Sequence, residues 1–124
     1  MFTYFDFPEQ EELQGFKNQF LIDGRICKVE PIRVLDNDKS LIHFTLANNI
    51  MAGGKKLNSY LPCIAWGQVA KRVEKLNKND FIFAIGELKS REYKKPLDDG
   101  QFEIRVAHEL LITDFKELKN AKQL

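Results

Sequence analysis

Apolar and polar residues alternate with a period of two along most of this chain, and turn-forming residues punctuate the alternation. The stretch 18-NQFLIDGRICKVE-30 reads as a long strand, bent or bulged at Gly24, and Pro31 breaks it. Asp and Asn in 36-DNDKS-40 bond to their own backbone, so this stretch reads as a turn. A second strand follows, 41-LIHFTLA-47, with Ile42, Phe44 and Leu46 on one side and Leu41, His43 and Thr45 on the other. Residues 48–58 read as a loop carrying Gly53-Gly54 and the Lys55-Lys56 pair. The third strand is 60-YLPCIAW-66. Its alternation puts Tyr60, Pro62, Ile64 and Trp66 on one face and Leu61, Cys63 and Ala65 on the other. The second of these faces, small and apolar, suits a core.

Helical spacing takes over in 67-GQVAKRVEKLN-77, where Val69, Val73 and Leu76 share a stripe and Lys71, Arg72 and Lys75 fill the rest. The fourth strand, 81-FIFAIGELKSREY-93, is apolar on both faces at its start and bends at Gly86. The segment 94-KKPLDDG-100 carries a hairpin signal, and 101-QFEIRVAHELLIT-113 alternates as the fifth strand. The expected class is therefore all-β. Five strands with one helix between the third and fourth match a Greek-key OB barrel, whose strands and loops bind oligonucleotides or oligosaccharides. The expected domain spans 18–114. An acidic aromatic extension, 1–17, precedes it and a charged tail, 115–124, follows.

Composition narrows the function classes. The 124 residues have a net charge of +1, so bulk charge cannot carry phosphate affinity. The charge is uneven, however. Asp6, Glu9, Glu11 and Glu12 face only Lys17 in the extension, a net of −3, which leaves about +4 for the rest. Cys27 and Cys63 stand far apart in separate strands and read as two buried free thiols. No cluster has metal-ligand spacing, and no nucleophile motif, paired carboxylates or phosphate loop appears. The expectation is thus a protein without enzymatic activity, metal or cofactor. His43 and His108 read as structural. With no apolar run of membrane length and no signal-peptide pattern, a cytoplasmic protein is expected.

Tyr60 and Trp66 put two large rings on one strand face with cations nearby, and every base offers a face to stack on. The alternative is packing of these rings against the extension or a second subunit. At this point the chain resembles the bacterial-type single-stranded DNA-binding proteins over roughly residues 18–114. The resemblance rests on 18-NQFLIDGRI-26, 44-FTLAN-48, 66-WGQVAKRV-73, 78-KNDFIFAIGELKSREY-93 and the Asp-Gly hairpin, in that order. It implies stacking by Tyr60, Trp66 and Tyr93, and assembly into dimers or tetramers. The chain departs from the family where a further ring is usual after the second strand, which here reads Asn49, Ile50 and Met51. It also lacks the acidic tail with a terminal phenylalanine, ending instead in 115-FKELKNAKQL-124.

Backbone contacts are expected from Arg25, Lys89 and Arg91 in strands and from Lys55, Lys56, Lys94 and Lys95 in flanking loops, with the helix lysines as solvated surface. The expected ligand is single-stranded DNA, bound with little sequence preference during replication, recombination or mobile-element metabolism. RNA is a further possibility. The competing class is a protein-interaction module of a replication-restart or mobile-element complex. Surplus apolar residues on the fourth strand point to a homo-oligomer. The extension is read either as a mimic of DNA or as an arm packing on a neighbouring subunit.

Overall fold

In a computed structural model, which describes Glu9 and residues 17–119, the elements run β1 (Phe20–Val29), β2 (Arg33–Val34), β3 (Ser40–Ala52), β4 (Lys55–Trp66), α1 (Gly67–Glu74), β5 (Phe81–Pro96) and β6 (Phe102–Glu117). The sheet order is β1-β5-β6-β4-β3-β2, and β1 also pairs with β3. That second pairing closes the five long strands into a barrel, with α1 between β4 and β5. The fold is the expected OB barrel. The short β2, paired with β3 at Arg33↔Leu41 and Val34↔Ser40, was not expected.

The core follows the alternation. Ile26, Ile42, Phe44, Leu46, Cys63, Ala65, Ile82, Ala84 and Ile112 all lie at 3% exposure or less. Each large aliphatic among them contributes about 1.5–3 kcal/mol by leaving water. Helix α1 turns Ala70 and Val73 into the same cluster, and Leu76 just beyond it joins them. It is shorter than expected, ending at Glu74. Arg72 ties it to β6. Its Nη1 donates to Asp114 Oδ1 at 2.7 Å, its Nη2 donates to the Phe115 carbonyl at 2.6 Å, and its guanidinium lies 4.4 Å from the Phe115 ring centroid. Phe115 is itself buried, so the last strand passes residue 114 and takes in the start of what reads as a tail.

Two glycines act through close approach. The bulge in β1 falls between Ile26 and Lys28, not at Gly24. Gly24 is small for another reason: a Cβ there would lie 2.7 Å from the Ala47 carbonyl oxygen of β3. At Gly86 a Cβ would lie 1.8 Å from the Leu111 carbonyl oxygen, and the β5–β6 register shifts beside it. Gly86 therefore bends the strand as expected, because only a glycine lets β6 pass so closely.

The two expected loops are largely strand. β3 and β4 pair continuously from Leu41↔Trp66 to Ala52↔Lys55, turning only at Gly53-Gly54. Both glycines have positive φ, +57° and +78°, which matches the twist of a two-residue hairpin. β5 and β6 likewise pair out to Pro96↔Phe102. Both hairpins thus run past the buried part of the barrel as arms. Lys55, Lys56, Lys94 and Lys95 sit in the strands of these arms, not in loops. The N-terminal extension lies outside the described residues apart from Glu9 and Lys17. Chain entry into the barrel is fixed by Asn18, whose side chain bonds to both the N–H and the carbonyl of Leu88 at 2.9 Å.

Candidate nucleic-acid interface

Register alone sets the outward face of the β1–β3–β4 sheet. Arg25, Ala47 and Tyr60 form one row across three strands. Further along, Pro62 faces Thr45, Ile64 faces His43, and Trp66 faces Leu41. Tyr60 is 61% exposed and Trp66 40%, so both rings are open to solvent. Six residues of strand separate them, roughly 20 Å. Ile64 shares their parity but is buried, so the rings stand at the two ends of the face rather than along an open stripe. Trp66 borders a cleft of about 590 Å³ with Leu35, Asn37 and Lys39 of the turn before β3.

The β5–β6 arm supplies the third ring. Tyr93 is 37% exposed and pairs across the arm with Arg105. Arg91, two residues back on the same face, holds its guanidinium 5.6 Å from the Tyr93 ring centroid. Its Nε also donates to Glu109 Oε1 at 2.7 Å. Lys89 and Lys95 share this face by alternation, and Lys89 is paired with Glu87 at 3.0 Å. Lys94 points to the opposite face, where its ammonium lies 4.5 Å from the Phe102 ring centroid. On the other arm, Lys56 shares the parity of Tyr60 and Lys55 does not. Arg25 donates to Asn79 Oδ1 at 2.9 Å, which ties its guanidinium to the turn before β5.

The geometry therefore puts Tyr60 and Lys56 on one face of the β3–β4 arm, Arg25 in the Tyr60 row two strands away on β1, and Tyr93, Lys89, Arg91 and Lys95 on one face of the other arm. It places Trp66 at the far end and turns Lys55 and Lys94 away. Between the arms β4 and β6 pair only at Cys63↔Leu110 and Ile64↔Leu111. Beyond that seam they part, leaving a groove of about 540 Å³ between Leu61 and Pro62 on one side and Leu88, Lys89 and His108 on the other.

Three outward residues of this surface were not expected at a site. Glu109 is only 8% exposed although it lies on the outward face beside Pro62. His43, expected to be merely structural, brings Nε2 to 3.5 Å from Glu109 Oε2 without forming a hydrogen bond. Arg105, opposite Tyr93, is paired with Glu103. The alternation of β6 already put Glu103, Arg105 and Glu109 on one side. What it could not give is the neighbour across the seam, because a parallel pair between distant strands leaves no local trace.

The cysteines differ from each other. Cys63 is buried, and burial pushes its thiol up to about 12. Cys27 is only partly buried, contrary to expectation. Asp114 is held below the ordinary carboxylate range by its hydrogen bond from Arg72. Among the described residues no group of three or more His, Cys, Asp or Glu side chains is placed to hold a metal ion. No helix among them is long and apolar enough to cross a membrane.

The sequence matches the model of the single-strand binding protein family over residues 17–116. The chain belongs to that family. No curated protein sequence matches it. Among solved structures, the SSB of Plasmodium falciparum in complex with ssDNA superposes with a TM-score of 0.70 at 18% identity, covering 86% of this chain and 98% of that one. The priB protein of Ralstonia solanacearum gives 0.63 at 10% identity, covering 83% of this chain and 100% of that one. At such identities these two likenesses speak for the fold alone.

Proposed function

We propose that this family member binds single-stranded DNA without enzymatic chemistry and with little sequence preference. Bases stack on Tyr60, Trp66 and Tyr93, while Arg25, Lys56, Lys89, Arg91 and Lys95 meet the backbone. Lys55 and Lys94, on the reverse faces of the arms, stay outside this contact set. The observation that carries this reading is the exposure of all three rings on outward faces lined by cations. Each stacked base is worth about 1–3 kcal/mol, so three platforms suffice for useful affinity with modest electrostatics. Membership of the single-strand binding protein family supports the choice of ligand.

The place of action is replication, recombination or mobile-element DNA metabolism in the cytoplasm. Assembly into a homo-oligomer is part of the proposal. On the outward side of β1 and β5, Leu21 is 64% exposed and Phe83 43%, an apolar patch suited to a second copy. A second reading, a protein-interaction module, is favoured by Phe102, Ile104 and Val106. These lie more than half exposed on one face of the β5–β6 arm.

Trp66 is the sole tryptophan, so it reports on its own surroundings. Titration with oligo-dT should quench its fluorescence, and affinity should fall as salt rises, because bound phosphates release counterions. Absence of quenching at low salt would favour the interaction module. The mass of the complex reports the assembly, and competition by a matched RNA reports sugar preference.

A further inference from the structure

Between β3, β4 and β6 the outward face holds a second, smaller cleft, of about 200 Å³. Pro62 and Thr45 form its apolar side, His43 and Glu109 its polar side, and Lys28 and Glu30 its rim. An apolar cavity of about 150 Å³ already admits a benzene ring. The space therefore suits one six-membered ring. Two facts make it more than a dimple. The Glu109 carboxylate is over nine-tenths buried, with Oε1 taken by Arg91 and Oε2 directed toward His43. His43 Nε2 is buried and makes no hydrogen bond. Buried polar groups normally find partners, so an orphaned ring nitrogen beside a carboxylate oxygen marks a place for a hydrogen-bonding ligand.

We propose that this cleft is a base-reading subsite that favours cytosine over thymine. The inference rests on the single-stranded DNA reading above and adds a bias to it. Glu109 is an acceptor, and cytosine presents its exocyclic N4 amine as a donor, the pairing that carboxylates make with this base. Thymine has a carbonyl oxygen at that position. Its one ring N–H lies between two carbonyl oxygens, which would face the carboxylate. Pro62 offers a flat apolar surface under the ring. His43 Nε2, in its protonated tautomer, donates to the cytosine ring nitrogen next to the amine. Lys28, paired with Glu30 at 3.8 Å on the rim, lies where the backbone phosphate leaves the cleft. The cleft lies between Tyr60 and Trp66 along β4, so a strand stacked on those rings passes over it.

The test compares oligo-dC with oligo-dT of equal length, one protomer's site or shorter, at one salt concentration and pH 8. The wild type should bind oligo-dC roughly tenfold more tightly, the scale of one hydrogen bond to a charged group. Glu109→Gln should bring the ratio near one. It should also tighten binding of both oligomers, because Arg91 loses its counter-charge. His43→Ala should lower the ratio without that general gain, which keeps the proposal testable if the first variant folds poorly. A wild-type ratio near one, or a ratio that both variants leave unchanged, overturns the subsite and leaves single-stranded DNA binding standing. Failure of the wild type to bind either oligomer removes the binding reading, and the subsite with it.

Discussion

Ile112 and Ile104 lie on the same strand, with the same parity, eight residues apart, and their surroundings could hardly differ more. Ile112 is 1% exposed inside the barrel, whereas Ile104 is 63% exposed on the β5–β6 arm. β5 shows the same divide, with Ala84 fully buried and Leu88 58% exposed. The barrel body and the arms are thus one set of strands under two regimes. In the body, hydrophobic burial fixes the inward side chains. In the arms, cross-strand pairing alone holds the hairpin, and both faces are free to meet something else. The arms therefore contribute little to the core, so their faces can be altered without unfolding the barrel.

That division can be broken at graded cost. Ile112→Ala should lower unfolding free energy by about 2–5 kcal/mol in urea titration, through lost transfer energy and an unfilled cavity. Ile104→Ala should change it by no more than about 0.5 kcal/mol. Equal losses at both positions would mean the arm is packed in solution against something else. Next in size, Tyr60→Ala or Tyr93→Ala should weaken oligo-dT binding by about 1–3 kcal/mol each while leaving the melting temperature in place. A loss at only one of them would confine the ligand to a single arm. The finest contrast lies between neighbours. Lys56→Ala should make the slope of log affinity against log salt shallower by about 0.7, the value for one phosphate contact on a single strand. Lys55→Ala, on the reverse face, should leave the slope unchanged. A measurable effect of Lys55 equal to that of Lys56 would show that the arm's tip is embraced on both sides.

Much of this organisation was legible in the residues. Alternation in 41–47 and 60–66 gave the buried and outward faces of β3 and β4, and helical spacing gave the buried stripe of α1. Gly86 read correctly as a bend. The arms did not read as strand, because Asn48–Asn49, Gly53-Gly54 and Lys94-Lys95 carry loop-like composition while their pairing supplies the order. Local propensity yields there to cross-strand hydrogen bonds. Gly24 misled for a related reason: its smallness serves the approach of β3 at Ala47, which is remote in sequence. The shared outward face of Tyr60 and Trp66 was legible from parity. The approach of His43 to Glu109 was not, since β3 and β6 are distant in sequence and come together only once the barrel shuts.

The two-pair contact of β4 with β6 has a mechanical meaning. A hoop fastened by so short a clasp is easiest to prise apart there, and the clasp sits at the root of the space dividing the two hairpins. Any strand laid across both hairpins would act as a splint over that weak point. Occupancy and closure of the hoop would then support one another, and the empty protein would be the looser of the two.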